Sequence, residues 1–209
     1  MKSQIPTSQR LVLAAIPLIW RNGFSAVSVD MICREAGAHK GSFYHAFPSK
    51  NALLTSAIET VWNRNRAELR DMIAQATEPL QKLDKYLDWT LLYQRRMQRE
   101  LGFVPGHFHM AIDITAPEAV ARSQVYRAEG KALLAQVLRD VLKDWGASTD
   151  LMDWLIDTIN YIGEGLLIEA RLSNSIRPVE ALKPTVMRLI EEVAKKRLDR
   201  SVNDFTIAP

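Results

Sequence analysis

A short stretch near the N-terminus concentrates side chains that can donate hydrogen bonds. His39, Lys40, Ser42, Tyr44 and His45 follow one another there within seven residues. Lysine can donate to guanine in the major groove, and serine can contact either a base or a phosphate. Tyrosine and histidine are suited to phosphate contacts at the edge of the groove. These residue types therefore predict contacts with nucleic acid.

Other residues that could support chemistry do not form a recognisable catalytic group. The sequence has no GxSxG or HExxH motif, no glycine loop that would cradle phosphates and no supported Cys/His pair. His107 and His109 could be taken for a metal pair, but an i, i+2 spacing on a helix would direct their rings to different faces. We expect Cys33, the one cysteine, to be a small core residue. The sequence predicts no catalytic residue, metal site or cofactor, and an enzyme remains the weaker alternative.

The composition is that of an ordinary globular protein. Of 209 residues, 47% are hydrophobic and 24% are charged. A single cysteine excludes an internal disulfide framework and is compatible with a reducing compartment. No apolar run approaches the roughly 18 residues of a membrane span, and the N-terminus lacks the apolar region of a secretory signal. We therefore expect a cytoplasmic protein with no membrane partner.

The charges are distributed unevenly along the chain. Residues 1–65 carry seven Lys/Arg and three acidic residues, a net charge of +4, whereas the whole chain has +3. A basic first third on a near-neutral remainder favours a polyanionic partner for the N-terminal part. The excess is modest, so charge alone does not decide between nucleic-acid binding and chance.

The spacing of apolar residues predicts helices nearly throughout the chain. Thr7 or Ser8 should cap the first helix, and Pro17 should bend it. The second and third helices are short and joined by a turn at Gly37, which is typical of a helix-turn-helix. The helix over 151–172 is apolar on nearly every side, so we expect it to be buried all round. The predicted helices span 8–22, 28–35, 39–46, 50–76, 80–99, 118–145, 151–172 and 179–198.

The segment from Gly23 to Leu54, GFSAVSVDMICREAGAHKGSFYHAFPSKNALL, resembles the DNA-binding domain of the TetR family of bacterial transcriptional repressors. The family pattern is roughly G(F/Y)xxTSxxxIAxxAGVSxGxxYxHFxSKxxL. His39 stands where the family usually has serine or threonine, and this difference bears on the operator sequence. The matching residues are Gly23, Phe24, Ser28, Ile32, Ala36, Gly37, Gly41, Tyr44, Phe47, Ser49, Lys50 and Leu53.

The resemblance implies an all-α, TetR-like fold. An N-terminal three-helix helix-turn-helix DNA-binding domain (1–50) would precede a C-terminal helical-bundle domain for ligand binding and dimerisation (51–200), followed by a tail (201–209). It implies a DNA-binding transcriptional regulator, a ligand-released repressor that binds a palindromic, double-stranded DNA operator as a homodimer. The homodimer would form through helices near 151–172 and 179–198, and the effector would be a small molecule of unknown identity. An activator, and a helical small-molecule-binding protein without operator binding, remain alternatives.

Two sets of site residues follow from this interpretation. The predicted DNA-binding residues are Ser28, His39, Lys40, Gly41, Ser42, Tyr44, His45 and Lys50. The predicted ligand-binding residues are aromatic or polar groups on the central helices, where a carboxylate such as Glu164 needs a partner. They are Trp89, Tyr93, Met97, Phe108, Tyr126, Tyr161 and Glu164. For each aromatic residue, simple core packing is the alternative.

Overall fold

The regular secondary structure of the described residues is helical, as predicted. The computed structural model describes residues 5–112 and 116–198, with the backbone alone for 196–198, and the predicted tail at 201–209 lies outside this part of the chain. None of the described helices is long and apolar enough to span a membrane. The helices are α1 (Thr7–Asn22), α2 (Val29–Ala36), α3 (Lys40–Ala46), α4 (Lys50–Ala74), α5 (Pro79–Leu101), α6 (Pro117–Asp144), α7 (Met152–Ser173), α8 (Arg177–Glu180) and α9 (Leu182–Leu198), with a 3-10 turn at Phe108–Ala111 between α5 and α6.

The first helix differs from the prediction at its start and at its proline. Pro6 is the N-cap and makes no side-chain capping bond. Thr7 belongs to the first turn, and its hydroxyl accepts a hydrogen bond from Arg10 instead (3.3 Å). Pro17 lies inside α1 without ending it, so the helix continues to Asn22. A proline removes one N–H from a helix, and the remaining bonds of α1 tolerate that loss.

The last predicted helix, 179–198, is divided into α8 and α9. Pro184 has no N–H to donate to the carbonyl of Glu180, where a continuous helix would need one. The chain instead tightens there, and the N–H of Ala181 donates to the carbonyl of Pro178 (3.1 Å). The break between α8 and α9 therefore has a local covalent cause.

The chain forms two compact units. The first comprises the N-terminal helices up to Glu68 together with Met97–Glu129, and the second comprises Leu69–Arg96 and the chain from Gly130 onward. This division does not coincide with the boundary predicted at residue 50. The reason is that the segment after α5 packs against α1, a long-range contact that local patterns do not reveal.

Each unit has its own hydrophobic core. In the first, α1, α2 and α3 enclose fully buried side chains such as Leu11, Ile32 and Phe43. In the second, α5, α6, α7 and α9 contribute a cluster that includes Leu87, Leu138 and Leu155. Burial of this kind supplies most of the free energy that keeps amphipathic helices folded.

Candidate nucleic-acid interface and ligand residues

The helix-turn-helix begins and turns where the sequence predicted. Ser28 has extended backbone angles, and its hydroxyl accepts a hydrogen bond from the N–H of Met31 (3.1 Å), so it caps α2. Gly37 ends α2 in the left-handed region (φ 58°), a conformation that favours glycine. The N–H of Ala38 then donates to the carbonyl of Cys33 (2.9 Å). This cap fixes the direction in which the chain enters α3.

An arginine of α1 holds the same turn, and the sequence analysis missed it. Arg10 donates through Nη1 to the carbonyl of Ala36 (3.1 Å), at the end of α2. A charged donor on the last carbonyls of a helix also interacts favourably with the helix dipole. The two residues are 26 positions apart, so no local spacing rule could have paired them.

The recognition helix α3 has one buried residue and an exposed polar face. The ring of Phe43 is fully buried and packs edge-to-face on Tyr44, with centroids 5.2 Å apart. Tyr44 is itself 53% exposed. The remaining predicted DNA-binding residues of this region, His39, Lys40, Gly41, Ser42 and His45, are also exposed. Phe43 therefore anchors the helix and leaves its polar groups open to a partner.

Lys40 forms an ion pair that the sequence analysis did not predict. Its Nζ lies 3.1 Å from Oδ1 and 3.3 Å from Oδ2 of Asp30, and both side chains are more than half exposed. The hydrogen bond and the charge of Asp30 raise the pKa of Lys40 above its usual value. The first turns of α2 and α3 are thereby joined on the exposed side of the motif.

Lys50 is engaged within its own unit. Its ammonium donates to the carbonyls of Phe24 (3.0 Å) and Val27 (2.9 Å), and it lies 4.2 Å from the centroid of the Phe24 ring. The prediction gave Lys50 a phosphate contact. In the structure it holds the loop between α1 and α2, and with it the cap residue Ser28.

The segment between α5 and α6 is tied to the end of α1. Arg21 donates to the carbonyl of Leu101 (2.8 Å), and the N–H of Phe24 donates to the carbonyl of Ala111 (3.1 Å). The rings of Trp20 and Phe108 pack edge-to-face at 4.9 Å. Two hydrogen bonds and an aromatic pair therefore connect the first helix to residues about 80 positions later.

The two histidines of this segment do not diverge as predicted. Their rings lie 5.3 Å apart, because His107 precedes the 3-10 turn in an extended conformation and the pair is not on an α-helix. Nε2 of His109 is 2.8 Å from the guanidinium of Arg127. Arginine can only donate, so that nitrogen accepts a hydrogen bond.

Within the second unit, two of the predicted ligand residues lie together. The rings of Trp89 and Tyr93 stack with centroids 5.1 Å apart, and the guanidinium of Arg96 lies 5.4 Å from the centre of the Tyr93 ring. Tyr93 is buried, whereas Tyr161 on α7 is 66% exposed. Glu164, one turn further along α7, is half-buried.

Within the first unit, the other three predicted ligand residues pack against different partners. Phe108 lies against Trp20, as described above, and Tyr126 stacks on Trp62 with centroids 5.2 Å apart. Burial, more than the nearby charges, raises the pKa of the Tyr126 hydroxyl. Met97 is buried. These aromatic residues contribute to packing in the unit, which was the alternative stated for each of them.

Known proteins resemble this chain in sequence. Residues 11–57 match the model of the bacterial regulatory proteins of the tetR family. An HTH-type transcriptional regulator in the lacX 3' region of Lactococcus lactis subsp. lactis is 22% identical over 149 residues, 70% of this chain and 71% of that protein. The HTH-type transcriptional regulator UidR of Escherichia coli K12 is 35% identical over 68 residues, 32% of this chain and 35% of that protein. These relatives are named as transcriptional regulators and not as enzymes.

Solved structures resemble the fold. The crystal structure of a TetR-family transcriptional regulator from Agrobacterium tumefaciens matches with a TM-score of 0.74 at 18% identity, covering 87% of this chain and 96% of that one. The fold, the capped and turned α2–α3 motif and the match over residues 11–57 agree with one another. The chain belongs to the TetR family of bacterial regulatory proteins and is a DNA-binding transcriptional regulator with an N-terminal helix-turn-helix.

Proposed function

We propose that this regulator is a repressor that binds a palindromic operator as a homodimer and is released from it by a small molecule. The observation that carries the proposal is the recognition helix α3, whose buried Phe43 fixes its position while its polar residues remain exposed. A surface of donors on a rigid helix suits the major groove. Because operator DNA lies in the bacterial cytoplasm, the proposal places the protein there.

Each subunit would place α3 in one major groove, with the two half-sites about one DNA turn, ~34–36 Å, apart. Ser28 at the start of α2 would contact a phosphate, and Lys50 would act mainly by positioning Ser28. The proposed DNA-binding residues remain Ser28, His39, Lys40, Gly41, Ser42, Tyr44, His45 and Lys50.

The proposed dimer contact is an exposed apolar stripe on α7. Trp154, Tyr161 and Ile168 recur at seven-residue intervals and are 51%, 66% and 49% exposed, and Leu172 is 79% exposed. The expectation that this helix is buried all round is thus wrong for the single chain. A heptad spacing of apolar residues is typical of a helix that packs along a partner helix. A second copy of α7 would cover the stripe, with α9 beside it.

The effector is proposed to bind among residues of the central helices. The stacked pair Trp89 and Tyr93 offers an aromatic face, and Glu164 offers a carboxylate for a cationic or hydroxylated group. A ligand that binds better to a conformation unable to hold DNA would shift the population and release the operator. We propose α4 as the pivoting element, since the division between the two units falls within it, at Glu68.

Selection from random-sequence DNA tests the proposed function. The wild-type protein should enrich a palindromic sequence, and alanine at Lys40 or Tyr44 should reduce affinity for it strongly. Both side chains are more than half exposed, so circular dichroism melts should be nearly unchanged. Failure of the wild-type protein to enrich any sequence would refute operator binding and favour a helical ligand-binding protein.

Gly41→Ala is a second test, and it separates DNA contact from folding. A Cβ at Gly41 would meet nothing within 4 Å in the chain, and alanine favours a helix over glycine by up to about 1 kcal/mol. We therefore expect a melting temperature that is equal or higher. Operator affinity should nevertheless fall about tenfold or more, because a methyl group would occupy the space between α3 and DNA. A gel-shift titration showing undiminished affinity would mean that the backbone at Gly41 does not approach DNA closely.

A further inference from the structure

The ion pair between Lys40 and Asp30 lies on the exposed side of the helix-turn-helix. Lys40 is the first residue of α3, and Asp30 lies in the first turn of α2, two residues after the cap Ser28. The side chains are 57% and 65% exposed. Ion pairs this open to solvent contribute little to folding stability. The pair therefore has a small structural role, although it occupies the surface proposed to meet DNA.

Asp30 changes what Lys40 can offer to DNA. An unpaired lysine at this surface would bind the nearest phosphate, an interaction that releases counterions and does not depend on sequence. With carboxylate oxygens 3.1 and 3.3 Å away, the ammonium of Lys40 is largely compensated. Asp30 also repels a phosphate that approaches the pair. A lysine ammonium has three donors, so hydrogen bonds remain available beyond those made to Asp30.

We infer that Asp30 is a specificity-determining residue, which withholds Lys40 from the phosphates and directs its remaining donors to acceptors on a base edge. The acceptors that suit a lysine in the major groove are O6 and N7 of guanine. Asp30 acts through Lys40 and is a positioning residue. The inference rests on the proposed function, in which α3 reads operator DNA.

Asp30→Asn tests the inference, because it removes the charge and keeps the size of the side chain. The freed Lys40 should gain a phosphate in each subunit. Affinity for random-sequence duplex should rise, and the slope of log affinity against log salt should steepen by about 0.9 per phosphate gained. The ratio of operator to random-sequence affinity should fall about tenfold, within the range expected for losing one specific base contact. Fluorescence anisotropy across a salt series measures both quantities.

Glu35→Gln is the matched control. Glu35 is exposed on the same helix, and its substitution removes the same charge without touching the Lys40 pair. It should raise affinity for operator and random DNA alike and leave their ratio unchanged. Adding Lys40→Ala to Asp30→Asn should abolish the extra salt dependence, because the ammonium that gained the phosphate is gone. Asp30→Ser, with a shorter neutral side chain, should behave as Asp30→Asn does and provides a second variant.

The outcomes separate the inference from the function beneath it. An unchanged affinity ratio in both Asp30 variants, or the same behaviour in Glu35→Gln, would overturn the role of Asp30 while wild-type operator binding stands. A wild-type protein that prefers no sequence would overturn both. A lower ratio and a steeper slope in the Asp30 variants, reversed by Lys40→Ala, would establish the role.

Discussion

Leu11→Ala is expected to destabilise the DNA-binding unit by about 2–5 kcal/mol, the usual cost of emptying a fully buried leucine site. Leu11 is completely buried where α1 packs on α2 and α3. A cavity there loosens the core that also holds Phe43, the anchor of the recognition helix. Globular domains are stable by roughly 5–15 kcal/mol, so the loss is a large fraction of the total. Amide hydrogen exchange in α2 and α3 should accelerate, and operator affinity should fall with it.

Leu13→Ala provides the matched control for this prediction. It makes the same substitution on the same helix, two residues away, at a side chain that is 45% exposed. Its effect on the free energy of unfolding should stay within about 0.5 kcal/mol. Equal exchange rates in the two variants would contradict the packing described for α1.

Local signals were sufficient for the helix-turn-helix. Ser28 before an apolar-periodic segment and Gly37 after it are cap residues with a direct physical reason, and both occupy those positions. Ser49 similarly accepts a hydrogen bond from the N–H of Ala52 and caps α4 as predicted. The fold class follows because each of these choices depends on residues within one or two turns.

Long-range contacts could not be predicted in the same way. The pairing of Arg10 with the end of α2, and of Arg21 with Leu101, joins residues 26 and 80 positions apart. Lys50 was matched to a family motif, but its two carbonyl partners are known only once the loop between α1 and α2 is folded. Asp30 was read as a helix residue because its partner Lys40 lies beyond the turn.

The predicted ligand residues show a further limit. Aromatic side chains at helical spacing can face a cavity, the core or a partner, and the one-dimensional pattern is the same in each case. Trp89 and Tyr93 lie together, Phe108 and Tyr126 pack on other aromatics, and Tyr161 is exposed. Which of them contacts an effector therefore remains a proposal.

The largest functional effect is expected from a charge placed in the apolar stripe of α7. Ile168→Glu would bury a carboxylate without a partner if two copies of α7 met at this surface, and an unpaired buried charge opposes association strongly. The side chain is 49% exposed in the single chain, so the monomer should fold normally. Sedimentation velocity should show a dimer for the wild-type protein and a monomer for the variant. Operator affinity should fall by roughly 10²–10⁴, because the second half-site contact is then no longer intramolecular.

Ile168→Leu separates loss of the interface from a nonspecific effect of changing this residue. It nearly conserves volume and apolar character, so dimerisation and operator affinity should be retained. Affinity for a single half-site supplies the second comparison, since α3 is not altered and each subunit of Ile168→Glu should bind a half-site as the wild-type subunit does. A dimeric Ile168→Glu protein would place the subunit contact elsewhere. Equal loss of half-site and full-operator binding would instead point to damage within the subunit, because bivalence contributes only where two half-sites are present.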